Sequence, residues 1–550
     1  MKRQQKNIFL SQGDFRIPGS IFLLTFGLYL PYVFFQEFMF RDTALRYAPM
    51  ADAFCRGDWL YAFHPRIQCL HPLISGCFAR LFNCSGCTGT VLSSLGFFAL
   101  CAFPLYFLLK EVFGRTTALW GTLFLPFASP LVLISVNGLR EPHKMLALLL
   151  MTWGVLTLFK YRSSWKGYLL TGLGCGLAFV VRNDLLLFAF WVLFTAGVLE
   201  FFSLKNLKRS AAALGIVLFF AAAECLVNYS VCGYLIPGNR LHTLFIDLFH
   251  RPPTPEALLL YGVLPGIILY FSGTALTGFL LRFRQFRWGL AGVFTLFLIA
   301  VIGKAILLSG LVPGKETVKF IHSLFRGSNP VLLIPAAVGV FLCRKSFKEN
   351  KSQYVLAGSF LLYPLTILAP ILFLENKLYV SSRYLLPGTL FLAGWAVFGG
   401  SFAGEKLKKY LPPAFYKPFI TTAVCLLAGL CLLHAYSDLI NEKCRSKEIR
   451  RLQTIKEMAA LIRSHYQGEA FFQPAVMIHH YRSNQKPRIF FPASGKEMIA
   501  VYYAGGSLCL SPENADFTVS VTPPATGKWQ KIGKTFSAGK KELTLWQRRR

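Results

Sequence analysis

Apolar runs alternate with short polar turns along most of the chain. A helix needs ~20 residues to cross ~30 Å of hydrocarbon, and runs near that length recur along most of the chain. The first covers about 17–35 and the second about 88–109, with a long loop of about 37–87 between them. Five pairs follow: 116–135 with 144–159, 167–181 with 185–203, 210–228 with 257–281, 288–309 with 330–343, and 354–374 with 385–403. A last run at about 418–435 brings the expected total to about 13 transmembrane helices. After Asp438 the pattern changes. Leu452, Ile455, Met458, Leu461 and Ile462 fall at helical spacing and predict an amphipathic helix over 445–466. Short strand-like runs follow at Ala475–Ile478, Arg488–Phe491, Phe517–Val521 and Leu543–Trp546. The expected fold class is therefore an α-helical polytopic membrane protein over 1–435 with a small extracytoplasmic α/β domain over 436–550.

Composition agrees with the pattern. Only 15% of the residues are charged and 54% are hydrophobic, against roughly 25% charged in soluble domains. The first run lacks a small-residue cleavage site and reads as a retained anchor. The formal net charge of +33 raises nucleic acid as a partner, but no basic recognition helix or aromatic RNA-binding motif is present. Most Lys and Arg instead cluster between the runs: Lys2/Arg3/Lys6/Arg16, Lys110/Arg115, Lys160/Arg162/Lys166, Lys205/Lys208/Arg209, Arg282/Arg284/Arg287, Arg344/Lys345/Lys348/Lys351 and Lys406/Lys408/Lys409/Lys417. With these clusters in the cytoplasm, each later interval holds one pair of runs, so the N-terminus is expected inside and the C-terminus outside. Membrane lipids are the expected partners of this charge. Cys84 and Cys87 form an isolated C-x-x-C, read as a local disulfide or free thiols.

The same topology gathers the polar residues hardest to explain as packing onto the outer face. These are Asp42 in the first loop, the turn Arg140-Glu141-Pro142-His143-Lys144, the turn Arg182-Asn183-Asp184, and the turn from Glu375 to Arg383-Tyr384. Ionisable groups at a membrane edge are costly to desolvate, and their convergence is what a catalytic or binding cavity requires. Asp52 and Asp58 are expected on the solvated side of loop helices or as their caps. His64 and His71 are expected in loop packing, since no third metal ligand stands at a convincing spacing. Lys304 lies inside a run near its outer end and is expected either to snorkel outward or to face a carrier phosphate.

Asp42 with Tyr47 five residues on, then Gly57-Asp58-Trp59 and His71-Pro72-Leu73, resembles the first outer loop of the GT-C glycosyltransferases. Protein O-mannosyltransferases and lipid A aminoarabinose transferases belong to that group. Leu139-Arg140-Glu141-Pro142 resembles the second outer loop, and Arg383-Tyr384-Leu385-Leu386-Pro387 resembles a later element. Val181-Arg182-Asn183-Asp184-Leu185 resembles an Arg-Pro-Glu turn, with Asn183 replacing the usual Pro. The resemblance implies transfer of a sugar from a polyprenyl-phosphate donor to a lipid, protein or glycan acceptor, at what would be the outer face of a bacterial plasma membrane. Inverting displacement at the anomeric carbon needs a base for the acceptor hydroxyl and cations for the departing phosphate. Asp42 is the expected general base, an ordinary helix-cap carboxylate being the alternative. Many relatives carry an adjacent acidic pair, whereas Thr43 follows Asp42 here, which leaves Glu141 as second acid. Glu141 is expected to position the acceptor, orient Asp42 or pair with Arg140.

Arg383 is the expected phosphate ligand, because a guanidinium offers a donor fork matching phosphate oxygens. Tyr384, Arg182, Arg140, Lys144 and Tyr47 complete the expected substrate site. No cofactor is assigned, and dependence on a divalent metal stays open. Two other classes fit many spans and a polar cavity. One is a transporter or lipid flippase, which favours inverted repeats that the chain does not show. The other is an O-antigen ligase or polymerase, in which a large functional loop comes late rather than first.

Overall fold

A computed structural model describes residues 12–34, 42–63, 67–161, 164–200, 204–232, 254–281, 283–342 and 350–407. It also describes 446–466, 488–491, 512–525, 527–538, 541–549 and a few isolated positions. Three expectations lie wholly or mostly outside the described residues: the run at 418–435, the strand at 475–478, and His64.

Helices recur where the apolar runs stand. They are α1 (Gln12–Phe34), α2 (Ala48–Cys55), α3 (Trp59–Ala62), α4 (Leu70–Leu81), α5 (Gly86–Leu100), α6 (Ala102–Phe113) and α7 (Arg115–Leu123). Next come α8 (Ser129–Val136), α9 (Glu141–Lys160), α10 (Trp165–Val181), α11 (Leu186–Glu200), α12 (Leu204–Cys232) and α13 (Leu264–Leu280). The series continues with α14 (Arg284–Leu311), α15 (Gly314–Gly327), α16 (Pro330–Leu342), α17 (Ser352–Ala369), α18 (Ser382–Leu385) and α19 (Ala393–Leu407). Among the described residues, six helices are long and apolar enough to cross a membrane, or up to eight if each bent pair is one span. The chain is an integral membrane protein. One bent pair, α7 with α8, turns by 53° at a short 3-10 segment holding Pro126, where the ring removes a donor and blocks a regular turn.

The core is centred on α9. Its side chains are buried from Glu141 through Leu158, so this helix is buried all round rather than along one stripe. It packs against α10, α5, α6 and α17. Its first turn therefore lies inside the protein, which carries Glu141, His143 and Lys144 into the core. The long first loop is helical, formed by α2, α3 and α4. Asp52, expected on the solvated side of the loop helices or as a cap, accepts a 2.6 Å bond from the Gly86 amide and so caps the start of α5.

The C-terminal part carries helix α20 (Ser446–His465) and five strands: β1 (Arg488–Phe490), β2 (Ser507–Cys509), β3 (Phe517–Ser520), β4 (Trp529–Ala538) and β5 (Lys541–Arg548). The sheet order is β2-β1-β3-β5-β4. β1 runs parallel to β2 and β3, and β5 runs antiparallel to β3 and β4. Ile455, Met458 and Ile462 of α20 pack with Ile489, Phe517, Val519, Ile532, Phe536 and Leu545 in one apolar cluster. That cluster also includes Ala44, Leu45, Ala48 and Cys87 of the first loop.

Candidate active site

The segment that carries Asp42 is locally irregular. Residues Thr43–Tyr47 form a π-helical turn that leads directly into α2, and such turns are rare and concentrate at functional positions. The turn is tied down from behind, where Thr43 Oγ1 donates to the carbonyls of Asn137 at 2.6 Å and Gly138 at 3.2 Å. Gly138 adopts φ +65°, and a side chain there would meet Thr43 Cγ2 at 3.1 Å. The glycine thus serves both the left-handed turn and the close approach of the two loops.

Asp42 faces Arg383 across the site. Arg383 Nη2 donates to Asp42 Oδ2 at 2.7 Å, while Arg383 Nε lies 3.5 Å from Glu141 Oε1. Glu141 Oε1 also accepts from Arg182 Nη1 at 2.7 Å. Arg182 Nε stands 3.1 Å from Asp184 Oδ2, and that same oxygen accepts from Lys144 Nζ at 2.8 Å. One chain of charges thus runs Asp42, Arg383, Glu141, Arg182, Asp184, Lys144. It joins four segments that are far apart in sequence.

Tyr384 floors this chain. The Arg182 guanidinium sits 4.3 Å from its ring centroid, and Arg383 lies at 5.3 Å, a cation–π arrangement. The Tyr384 carbonyl accepts from the Tyr363 hydroxyl at 2.5 Å and from Lys144 Nζ at 3.4 Å. After Tyr384 the backbone runs as a seven-residue 3-10 stretch, Leu386–Leu392, before α19 begins. Such stretches seldom exceed 3–4 residues.

Arg140 and Tyr47 form a neighbouring pair. Arg140 does not join Glu141 in an ion pair. Its Nη1 donates to Gln68 Oε1 at 2.8 Å, and its guanidinium lies 5.8 Å from the Tyr47 ring. Tyr47 in turn meets His71 edge-on at 5.0 Å. His71 Nε2 donates to the Gly138 carbonyl at 3.3 Å. His71 is thus packed inside the loop, and among the described residues no group of three His, Cys, Asp or Glu could hold a metal ion.

The charges sustain one another. Burial works against the charge on Arg383, but Glu141 and then Asp42 more than offset it and raise its pKa above the usual arginine range. Arg182 behaves alike, with Asp184 and Glu141 overcoming burial. Burial would raise the Asp184 carboxyl, yet Arg182 and Lys144 hold it at about 2. Burial would also raise the Tyr384 phenol, and Arg182 with Arg383 bring it below the ordinary value. His71 is pushed down to about 3, mainly by burial, and is neutral at physiological pH. Counting Arg46, which approaches Asp42 Oδ1 at 3.8 Å, the cluster holds more cations than carboxylates. Arg383 Nη1, Arg140 Nε and Glu141 Oε2 are buried with no hydrogen-bond partner among the described residues. Buried polar atoms are nearly always paired, so the two guanidinium donors are open to an acceptor group and Glu141 Oε2 to a donor.

Sequence reasoning passed over several contributors. In the sequence Asp184 is only one residue of a turn, although in the fold it neutralises Lys144. Tyr363 sits within an apolar run and looks like any core aromatic. Glu224, on α12, accepts from the Cys69 amide at 3.1 Å and so anchors the start of α4; a lone acid in an apolar run was the available signal. Asn228, part of a glycosylation-like sequon, is fully buried and donates to Glu224 Oε1 at 3.0 Å. Lys304 is half-buried on α14 and takes no part in the ion pairs described.

Residues 64–227 match the family model of dolichyl-phosphate-mannose-protein mannosyltransferase. No match is found among curated proteins. Among solved structures, the apo oligosaccharyltransferase of Archaeoglobus fulgidus is similar with a TM-score of 0.50 at 12% identity, over 92% of this chain and 66% of that one. The Archaeoglobus fulgidus oligosaccharyltransferase AglB, in complex with an inhibitory peptide and a dolichol-phosphate, gives a TM-score of 0.50 at 11% identity over 93% and 70%. ArnT from Cupriavidus metallidurans in the apo state gives 0.41 at 10% identity over 95% and 97%. The chain spans about two thirds of the length of these oligosaccharyltransferases. Residues 64–227 thus match a mannosyltransferase family model, within a fold similar to that of the archaeal oligosaccharyltransferases.

Proposed function

We propose that the protein transfers a sugar from a polyprenyl-phosphate carrier to an acceptor at the outer membrane face, inverting the anomeric carbon, with Asp42 as general base. The observation that carries this reading is the 2.7 Å contact between Arg383 and Asp42 beside the buried, unpaired Nη1 of Arg383. A donor phosphate entering the cluster competes for Arg383. As Arg383 turns to the phosphate, Asp42 is released as a carboxylate able to accept a proton. The acceptor oxygen then attacks the anomeric carbon while the bond from that carbon to the phosphate oxygen breaks. The hydroxyl proton goes to Asp42, and the electron pair leaves on the polyprenyl phosphate, held by Arg383 and Arg182. Lys144 is engaged by Asp184 and acts by fixing Arg182 and the Tyr384 carbonyl. Glu141 is bonded by two guanidiniums, so we assign it to positioning Arg383 rather than to proton transfer. The dolichol-phosphate in the AglB complex supports a carrier of this class.

The topology belongs to the same reading: 13 spans over residues 1–435, the N-terminus in the cytoplasm, and residues 436–550 outside a bacterial plasma membrane. The acceptor is a lipid, a protein or another glycan. The test compares glycolipids and glycoproteins in membranes of a strain with the protein and one lacking it. A sugar-bearing species that disappears with the protein is expected. Identical profiles under conditions of confirmed expression would overturn the reading.

A further inference from the structure

Helix α15 stands between two apolar helices, α14 and α16, and divides into three faces. Phe320 and Gly327 are buried, and Leu324 is partly buried beside them. Val318, Ile321 and Phe325 form a second face and are 66%, 59% and 61% exposed. Lys315, Lys319, His322 and Arg326 make the third face, and all four are exposed. At ~100° per residue the apolar and basic faces lie side by side along one edge of the helix. The helix also turns by 64° from the axis of the following apolar segment, Leu332–Phe341.

We infer that α15 lies along the membrane surface, with Val318, Ile321 and Phe325 sunk into the boundary of the acyl region and the basic face on anionic lipid headgroups. Three observations favour a lipid occupant over a protein one. The helix is held at both ends by apolar helices, and α14 exposes nearly its whole length from Gly292 to Leu311, so both ends of α15 sit at one membrane boundary. Its bend from α16 turns it away from the direction of the flanking span. The apolar edge is bordered by cations with a single acid, Glu316, itself paired with Lys319, which is the charge pattern of an interfacial helix. The inference rests on the reading of α14 and α16 as spans, and does not depend on sugar transfer.

The placement reaches the candidate active site. A side chain at Gly327 would meet Leu385 Cβ at 2.9 Å and the Ser382 carbonyl at 3.1 Å. The C-terminal end of α15 therefore rests directly on α18, which carries Arg383 and Tyr384. Lipid seating of α15 then fixes the height of the arginine that faces Asp42.

The test uses the full chain in vesicles, with its reactive native cysteines replaced by serine and a nitroxide placed at Val318→Cys, Phe325→Cys or Lys319→Cys. The labels at 318 and 325 are expected to collide with dissolved oxygen and be shielded from a water-soluble nickel chelate, and the label at 319 to show the reverse. In wild-type background, adding phosphatidylglycerol to phosphatidylcholine vesicles should deepen the 318 label; Lys315→Gln/Lys319→Gln/Arg326→Gln should lose that response. Equal chelate access at 318 and 319 would overturn the inference, since the helix would then stand in water. Shielding of 318 from both probes would also overturn it, because protein would cover the face. Failure of either kind leaves the transfer reading untouched, and loss of transfer activity leaves these accessibilities unchanged.

Discussion

Arg383 contacts two carboxylates, Asp42 and Glu141, and that double engagement defines its use. A planar guanidinium can bridge two acids, whereas an ammonium on a lysine is a single point charge. Arg383→Lys is therefore expected to raise the apparent KM for the lipid-linked donor by roughly ten-fold or more, with a smaller fall in kcat. An unchanged KM in a membrane transfer assay would contradict a phosphate-binding role. Asp184 offers a second test at this scale. Its folded pKa of about 2 lies below the 3.8 of a free carboxyl, so its ion pairs contribute stability above pH ~4 that is lost as the pH falls towards 2. Asp184→Asn leaves the fully buried Lys144 ammonium without a carboxylate, and breaking such a pair costs roughly 3–5 kcal/mol. Thermal unfolding in detergent should show a large deficit at pH 7 that narrows below pH 4; an equal deficit at both would mean Asp184 is not ionised in the fold. The individual site residues were mostly legible in the sequence, because charged residues beside apolar runs stand out. Their pairing was not: Arg140 turned to Gln68 and left Glu141 to Arg182 and Arg383, a choice made by loop packing that residue spacing does not encode.

At the scale of elements, the positions of the helices followed the apolar runs, since burial of ~20 apolar residues dominates every local preference. The irregular pieces did not. The π-turn at Thr43–Tyr47 and the 3-10 stretch at Leu386–Leu392 hold Asp42 and follow Arg383, and neither has a distinctive residue pattern. Strands β2 and β4 were also missed, β2 being three residues long and β4 interrupted by a register shift and by Gly533 at φ +63°. Gly138 tests the turn that braces Asp42. Gly138→Ala forces a left-handed residue costing ~1–2 kcal/mol and pushes against Thr43. Both stability and transfer should fall, with transfer falling further because Thr43 adjoins Asp42, the proposed base. Wild-type transfer by a folded Gly138→Ala protein would show that the Thr43 contact does not position Asp42.

Across the whole molecule, the site is assembled where the first loop, the starts of α9 and α18, and the end of α10 meet around one buried helix. The C-terminal sheet adds a further support, as its apolar cluster continues into Ala44, Leu45 and Ala48 immediately after Asp42. Ile462→Asp puts a charge into that cluster, touches none of the ion-paired residues, and should reduce transfer together with protease resistance of the C-terminal part. Transfer at the wild-type level from a protein whose C-terminal part is readily cleaved would separate the two. Composition and run spacing made the membrane class readable, but the docking of a distant sheet on the first loop depends on tertiary contacts with no local signal. The most direct measurement is sugar transfer in membranes of a strain lacking the native protein, complemented with wild type or with Asp42→Asn at matched expression and thermal stability. Removing a general base lowers rate by about 10²–10⁴, so the product identified by mass spectrometry should fall to or near background with Asp42→Asn. Product formation within a few-fold of wild type would contradict Asp42 as the base.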